Sequence, residues 1–390
     1  MTATLPAPIA RLLSALFAAA LAVLATCSPI RRAEEPVVKI AFFQDLSVSD
    51  HVDLVSPSFL ALDMVVARRL TDRGTAAEVV QLDTGGEPAA AIEMAREVAS
   101  DPSYVMAVAA PFWDEPSDVA QILAEAGVPT VSLSPVSGSP WAGPSSPPGD
   151  AAALWRRFVP DRSAEASLLA ELAGRRSPEG LEEPVCLVRD GSTYGQGLVD
   201  QVGRGLGTSP SEVIDGWNPA AAAEAIVTAG CRVVVWGGFP PGARDLARAM
   251  RESGSVRGRP VDLAGDALKT TIPPTSPAGD GAVVGSVACS CVDVSIEIGL
   301  ASRRFVNAYQ SEHGLTPGVY AAEGWDAGRF VSDAIVWGAR DREAMREAVG
   351  ALSVFRGVAR TYAFDRMGEL IGGDAGLFVA AGTRWLPLPV

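Results

Sequence analysis

Histidine is scarce in this sequence, and the usual motifs of catalysis are missing. The 390 residues include two histidines, His51 and His313. The chain contains neither the HExxH pattern of zinc proteases nor the GxSxG turn of serine hydrolases. These absences argue against an enzyme, and the sequence predicts no cofactor and no metal site.

An excess of positive charge is also absent. The chain has 32 Lys and Arg against 46 Asp and Glu, a formal net charge of −14. Nucleic-acid backbones and anionic lipid surfaces favour basic partners, so binding to either through charge is disfavoured. With 48% apolar and 20% charged residues the composition is that of a globular protein, and the length indicates two domains.

The N-terminal apolar run is too short for a membrane span. It extends from Leu12 to Ala25, whereas a spanning helix needs roughly 20 residues. Residues 1–27 therefore fit a signal peptide. The ending "LATC" is similar to the bacterial lipobox and predicts lipidation of Cys27, with ordinary cleavage near Cys27 as the alternative. Residues 28–36 are expected to be a tether, and the protein to be exported and lipid-anchored outside the cytoplasmic membrane.

Export makes the four cysteines after Cys27 candidates for disulfide bonds. Cys186 and Cys231 each begin an apolar run. If these runs are neighbouring parallel strands, the two sulfurs lie at similar height and can pair. Cys289 and Cys291 lie two residues apart and can close a small loop. Zinc is the competing interpretation, but the ligand spacing is poor.

Short β-rich runs alternate with helical patterns from Val37 onward. "VVKIAFFQDL", "AEVVQLD", "YVMAVAAP" and "VPTVSLSP" are each followed or separated by helical stretches, and a second series starts near residue 160 with "EPVCLVRD" and "CRVVVWGG". Apolar runs in such alternation predict parallel sheets covered by helices on both faces. Long helical patterns then follow from residue 299, which suggests that the chain returns to the first unit.

Several stretches resemble those of one known family. They are "VPTVSLSPVSGSP", "RDGSTYGQGLVD", "VVVWGGFPPGARDLARAM", "VDLAGD", "YAAEGWDA" and "FRGVARTYAFDRMGE". In this order they are similar to the motifs of type I periplasmic binding proteins. The branch is that of the leucine/isoleucine/valine-binding proteins of ABC transporters.

The resemblance implies an α/β fold of two Rossmann-like lobes joined by a three-crossover hinge. Residues 37–158 and 290–355 are expected to form the N-terminal lobe, and residues 159–289 and 356–390 the C-terminal lobe. The implied function is capture of an amino acid, amide or related amine between the lobes and its delivery to a membrane permease. The alternative is an exported sensing or assembly domain of the same fold without transport.

The resemblance also assigns roles to individual residues. Tyr194 matches the family's aromatic residue that packs on the ligand, and Phe239 an aromatic residue over the cleft. Asp266 falls where the family's acid accepts hydrogen bonds from an α-ammonium group. Each residue also has a purely structural alternative. Tyr194 would lie in a turn, Phe239 would belong to the apolar core, and Asp266 would cap the turn that follows it.

At the opposite end of the ligand the match is looser. Gly138 replaces the family's usual threonine, so the hydroxyls are expected from Ser134, Ser137 or Ser139. Trp113, Asp114 and Glu115 bring bulk and negative charge to a loop where the family tends to have small serines, which favours an amine, amide or urea-like ligand. The alternative is that this loop points to solvent.

Two further patterns have competing interpretations. The glycines of "RDGSTYGQG" are spaced GxxxGxG rather than GxGxxG, but Asp215 ends the next strand, where a ribose-binding acid would lie, so spacing does not exclude a nucleotide. The expected export of the protein argues against one. Glu323 and Asp326 lie three residues apart on one helical face and look like an acid/base couple. In the family this helix packs and lines the rim of the cleft, which favours a structural role.

Overall fold

The computed structural model describes most of the chain after the predicted signal peptide and tether. The described residues are 37–46, 52–113, 117–135, 154–175, 184–207, 210, 212–254, 261–270, 283–293 and 299–388. Residues Val37–Val390 form one compact unit. Cys27, Ser137 and Asp114 lie outside the described residues.

The first part of the chain forms a parallel sheet of five strands. Its strands are β1 (Val38–Gln44), β2 (Ala77–Asp83), β3 (Tyr104–Ala109), β4 (Thr130–Ser132) and β5 (Trp155–Arg157), in the order β2-β1-β3-β4-β5. The helices between them are α1 (Val52–Thr71), α2 (Pro88–Ser100) and α3 (Ser117–Glu125). This is the first sheet, and its strands β1 and β3 are apolar and buried, as expected where both faces of a sheet are covered.

The second sheet has seven strands. These are β6 (Val185–Arg189), β7 (Glu212–Asp215), β8 (Val233–Gly237), β9 (Val261–Ala264), β10 (Val284–Cys289), β13 (Gly376–Ala381) and β14 (Arg384–Leu388), in the order β14-β13-β10-β9-β8-β6-β7. Strands β6 to β10 are parallel, whereas β13 and β14 pair antiparallel. The helices here are α4 (Arg162–Arg175), α5 (Thr193–Gly205), α6 (Pro219–Thr228) and α7 (Pro240–Glu252).

The chain passes between the sheets three times. It leaves the first sheet after β5, and returns after β10 through α8 (Leu300–His313) and α9 (Ala321–Val336). After α10 (Arg342–Ala351) and the hairpin of β11 (Val354–Arg356) and β12 (Thr361–Ala363), it enters β13. The predicted α/β class with three crossovers is confirmed. The predicted lobe boundaries stay a prediction.

Helix α9 packs directly on α1, beside the first sheet. A β-carbon on Gly324 would overlap the backbone of Ser58, and one on Gly328 would overlap the side chain of Val65. The two helix backbones can approach this closely only because these positions lack side chains. The close contact fixes the start of α9, and with it the residue that precedes the helix, Tyr320.

Both predicted cysteine pairs are brought together. The sulfurs of Cys186 and Cys231 lie at disulfide-bonding distance, as do those of Cys289 and Cys291. Cys186 lies on β6, which pairs with β8 in parallel register from Val185 opposite Val233. Formation of the two bonds in the protein stays a prediction.

The two bonds should differ in their effect on stability. They close loops with sequence separations of 45 and 2, and loop-closure entropy predicts a contribution of about 4 kcal/mol for the long loop and about 1.5 kcal/mol for the short one. We expect Cys186→Ala with Cys231→Ala to lower the free energy of unfolding in urea more than Cys289→Ala with Cys291→Ala. Equal losses, or free thiols in the exported protein, would contradict this expectation.

Candidate functional site

The ends of strands from both sheets meet at a cluster of aromatic rings. Phe112 follows β3 of the first sheet, Tyr194 follows β6, Phe239 follows β8, and Tyr320 precedes α9. We call these four residues the aromatic cage. Parallel sheets of this kind bind ligands beyond the carboxyl ends of their strands, which is where the cage lies.

Phe112 occupies the centre of the aromatic cage. Its ring centroid lies 5.7 Å from that of Tyr194, 6.1 Å from Phe239 and 5.7 Å from Tyr320. All three contacts are edge-to-face, with interplanar angles of 71–78°. Tyr194 and Phe239 also lie 5.3 Å apart. Although Phe112 follows a strand of the first sheet, it packs within the apolar core of the second.

Two members of the cage have an unusual backbone conformation. Phe112 has φ 62° and Tyr320 has φ 57°, and they are the two non-glycine residues with positive φ in the described part of the chain. This region costs an ordinary side chain about 1–2 kcal/mol. Strained backbone tends to persist at binding and catalytic sites, and here both instances fall in one cluster.

Local hydrogen bonds position Tyr194 and Phe239. Ser192 caps α5, its hydroxyl accepting the Gly195 N–H at 2.9 Å. Asp190 accepts the Phe239 N–H at 2.7 Å, which ties the end of β6 to the end of β8. A β-carbon on Gly195 would overlap the Gly237 carbonyl. Gly195 of the GxxxGxG stretch thus lets helix and strand approach each other.

Two carboxyl groups lie beneath the cage. Asp266 accepts the Tyr194 hydroxyl at 2.7 Å through Oδ1 and the Tyr320 hydroxyl through Oδ2. Glu165, on α4, accepts the Ser290 N–H at 2.8 Å. Both acids are fully buried and interact with each other. We call Glu165 and Asp266 the carboxyl pair.

Burial disfavours ionisation of the carboxyl pair. It raises the pKa of Glu165 well above its usual range, and the charge of Asp266 raises that pKa further, while the Ser290 N–H and Arg162 lower it. Burial also raises the pKa of Asp266, against the lowering effect of its bonds from Tyr320 and Tyr194. Arg162 itself is buried and lies 5.0 Å from the centroid of the Tyr194 ring.

The predicted residues of the first sheet have different surroundings. Ser134 is fully buried, and no described residue supplies a hydrogen-bond partner for its Oγ. Trp113 is buried and stacks on Phe43 at 5.2 Å, within the first sheet's core. Gln44, at the end of β1, is buried with both side-chain amide atoms unpartnered among the described residues.

The structure therefore brings together Tyr194, Phe239 and Asp266, and adds residues that the sequence did not single out. These are Phe112, Tyr320, Glu165 and Arg162. One signal was present in the sequence, since Glu165 lies one helical turn before the buried Leu169 in an apolar pattern. Nothing in the sequence indicated the positive φ angles of Phe112 and Tyr320.

Glu323 and Asp326 have separate structural partners. Glu323 accepts the Val292 N–H at 2.8 Å and contacts Arg360 at 3.1 Å. Asp326 accepts the Val358 and Ala359 N–H groups at 2.7 and 2.8 Å, and burial raises its pKa to about 7. Both acids thus anchor crossover segments, in agreement with the structural interpretation.

A concavity lies beside the crossovers, away from the aromatic cage. It has a volume of about 500 Å³, and Cys291, Asp293, Arg360, Asp374 and Phe378 are among its lining residues. No member of the aromatic cage lines it. Over the described ranges there is no group of three or more His, Cys, Asp or Glu side chains that could hold a metal ion.

None of the helices in the described ranges is long and apolar enough to cross a membrane.

Comparison of the sequence with protein-family models shows its relationship to known proteins. The model for periplasmic binding proteins matches residues 37–375. The chain belongs to this family. Among curated proteins, no sequence is significantly similar to it.

Solved structures show the same type I fold at low sequence identity. The leucine-binding protein LivK from Thermotoga maritima has a TM-score of 0.72 and 19% identity, over 90% of this chain and 98% of that chain. LivJ from Streptococcus pneumoniae, solved with isoleucine, has a TM-score of 0.69 and 15% identity, over 90% and 100%. A solute-binding protein from R. palustris, solved with benzoate, has a TM-score of 0.67 and 14% identity, over 90% and 95%.

Removal of one hydroxyl tests the electrostatics of the carboxyl pair. The raised pKa of Asp266 means that its contribution to stability is fully present below the unfolded pKa of about 3.9 and is lost as pH rises through the folded pKa. Tyr320→Phe removes a donor that lowers this pKa. We therefore expect a loss that grows as pH rises, from about 1 kcal/mol while Asp266 is protonated to about 2 kcal/mol once it is ionised, since bonds to charged groups are stronger; pH 5 and pH 8 are the two values compared.

The measurement is urea unfolding at both pH values. Tyr309→Phe is the matched control, because Tyr309 is equally buried but packs against Phe305 and His313 instead. Its effect should be the same at pH 5 and pH 8. A loss for Tyr320→Phe that is also independent of pH would contradict the assignment.

Proposed function

We propose that this protein is an exported solute-binding lipoprotein of an ABC transporter. It captures a small polar ligand, such as an amino acid, an amide or a related amine, between two lobes and delivers it to a membrane permease. Its role is binding rather than catalysis. Membership of the periplasmic binding protein family supports the general solute-binding role.

The observation that carries the proposal is the contact between the two sheets at the aromatic cage. Phe112 follows the first sheet, whereas Tyr194 and Phe239 follow strands of the second. A ligand at this position touches both lobes only when they are closed, so binding shifts the protein towards the closed form. The proposed lobes are residues 37–158 with 290–355, and residues 159–289 with 356–390.

The residues have distinct proposed roles. Tyr194 and Phe239 pack over the ligand, and Asp266 accepts bonds from its amine. An ionised carboxylate has about four acceptor positions, so the two tyrosine hydroxyls leave room for a ligand N–H. Ser134 offers a buried hydroxyl without a partner among the described residues. Trp113 supports the first-sheet wall from within the core.

Ser137 and Asp114 are also proposed to contact the ligand, from the side of the first sheet. The ligands of the structural relatives include leucine, isoleucine and benzoate. These molecules differ in charge and shape, so the fold alone does not select among amino acids, amides and amines. The negative residues of this chain favour a ligand with an amine or amide.

A thermal-melting screen tests solute binding. A ligand present at 100 times its dissociation constant adds about 2.7 kcal/mol to the free energy of unfolding, which should raise the melting temperature by at least about 2 °C. The screen contains amino acids, their amides and small amines. Asp266→Asn should abolish the shift, and the control Asp374→Asn should retain it. If none of these solutes shifts the melting temperature, the solute-binding role fails.

Lipid attachment is tested at Cys27. Labelled palmitate should be incorporated into the wild-type protein when it is expressed in a bacterium with lipoprotein-processing enzymes. The variant Cys27→Ser should lose the label and leave the membrane fraction. Unlabelled wild-type protein in the soluble exported fraction would favour ordinary cleavage near Cys27.

A further inference from the structure

Cys289 and Cys291 join the end of a strand to the start of a crossover. Cys289 is the last residue of β10, which lies between β9 and β13 in the second sheet. Cys291 belongs to the segment that leaves this sheet towards α8. The two sulfurs lie at disulfide-bonding distance, so the bond, once formed, fastens the crossover to the sheet.

Ser290, the residue between the two cysteines, is bonded on both sides. Its N–H donates to Glu165 of the carboxyl pair at 2.8 Å, and its carbonyl accepts the Arg360 guanidinium at 2.7 Å. Arg360 also contacts Glu323, on α9, at 3.1 Å. The disulfide therefore closes a ring around the residue that links the carboxyl pair to the crossovers.

The concavity beside the crossovers reaches this disulfide from one side. Cys291 lines the space of about 500 Å³, whereas Cys289 does not. Three other lining residues contribute no side chain to fill it, namely Gly372, Gly373 and Gly376. Cys291 is 4% exposed and Cys289 is fully buried. Attack on the disulfide is thus restricted to Cys291 and to a molecule small enough to enter.

The other predicted disulfide has no such approach. Cys186 and Cys231 belong to the apolar core of the second sheet, and neither lines the concavity. Thiol–disulfide exchange requires a thiolate to reach one of the two sulfurs, so its rate depends on access. The two disulfides should therefore differ in reactivity, although both are largely buried.

We propose that the concavity is a reaction site for small thiols, at which the Cys289–Cys291 disulfide is reversibly reduced and the hold on Ser290 is loosened. This site is separate from the aromatic cage. Its chemistry does not depend on the solute that the protein binds.

The reaction is an exchange of one disulfide for another. The thiolate of a small thiol attacks Sγ of Cys291, the bond to Cys289 breaks, and the Cys289 thiolate takes up the proton that the small thiol released. A second small thiol then attacks the sulfur of the first, and Cys291 leaves and is protonated in the same way. The protein disulfide gains two electrons, and the two small thiols leave as an external disulfide, which can reverse the reaction.

Reduction removes the ring around Ser290 without removing its hydrogen bonds. Opening of this segment is then no longer limited by a covalent link across it, so the Ser290 N–H leaves Glu165 more often. The thiol–disulfide balance of the surroundings thus reaches the carboxyl pair through one residue.

The first experiment identifies the disulfide that reacts. The folded, oxidised protein is treated with 2-mercaptoethanol, and free thiols are alkylated and located by peptide mass spectrometry. Cys289 and Cys291 should be labelled at least about tenfold faster than Cys186 and Cys231, and 2-hydroxyethyl disulfide should reverse the change. Equal rates for the two pairs, or a Cys289–Cys291 pair that never oxidises, overturn the inference.

The second experiment tests entry through the concavity. Thr361 lies exposed on β12 and lines this space, so Thr361→Trp should slow reduction at least about fivefold while the final ratio of dithiol to disulfide stays the same. The control is Thr228→Trp, at an exposed position on α6 outside the concavity, which should react like wild type. A Thr361→Trp variant that is reduced as fast as this control contradicts the route.

The third experiment tests the effect on Ser290. Amide hydrogen exchange is compared in the oxidised protein, the reduced protein and the variant Cys289→Ser with Cys291→Ser. Exchange at Ser290 should be about tenfold faster in the last two, a factor that corresponds to the contribution of so small a loop. Strand β1 should exchange equally in all three, which separates local loosening from unfolding.

The double variant should also give no further response to 2-mercaptoethanol. Equal exchange at Ser290 in the oxidised and reduced protein would show that the disulfide does not control this residue. None of these measurements needs a bound solute. An empty melting screen would therefore remove the proposed solute binding and leave the thiol reaction standing, and the reverse also holds.

Discussion

A carboxyl group can be buried only if it accepts hydrogen bonds or is protonated. In this protein Asp266 accepts hydrogen bonds from two tyrosine hydroxyls. One comes from α5 beside the second sheet, and the other from the residue that precedes α9. Since α9 packs directly on α1 of the first sheet, satisfying one carboxylate ties the second sheet to a helix of the first. The same two hydrogen bonds position Tyr194 and Tyr320, two of the four rings of the cage.

Charged side chains with hydrogen-bond partners also hold the segments that cross between the two sheets. Glu323 accepts the Val292 N–H after β10, and Asp326 accepts N–H groups of the turn between β11 and β12. Arg157, at the end of β5, pairs with Glu369 at 2.8 Å in the segment before β13. Charged groups thus hold all three passages of the chain between the sheets. If the two sheets move relative to each other, these bonds must shift with the crossover segments or stay intact while the backbone dihedral angles beside them change.

Much of this architecture was predictable because it follows from local patterns. Alternating strands and helices place residues such as Tyr194, Phe239 and Asp266 at carboxyl ends of parallel strands, and the structure brings these three together. Their role in ligand binding stays a prediction. The sequence did not predict β5, which has three residues and two buried arginines, or the antiparallel strands β13 and β14. Trp113 and Phe112 are adjacent, yet one stacks in the first core and the other enters the cage, because the positive φ of Phe112 turns the chain between them.

The pairing of β6 with β8 has a consequence for how the cage can vary. Cys186 and Cys231 meet near the beginning of the two strands, and Asp190 joins their ends. Helix α5 contacts β8 at Gly195 and Gly237, where neither residue has a side chain to keep the two backbones apart. Tyr194 and Phe239 therefore follow two neighbouring strands that are linked at their ends by Asp190 and, once the disulfide forms, near their beginnings by Cys186 and Cys231. The spacing of these two rings is thus set by the pairing of β6 with β8, and a change of selectivity is most directly reached by replacing one of the rings or the Phe112 that faces them.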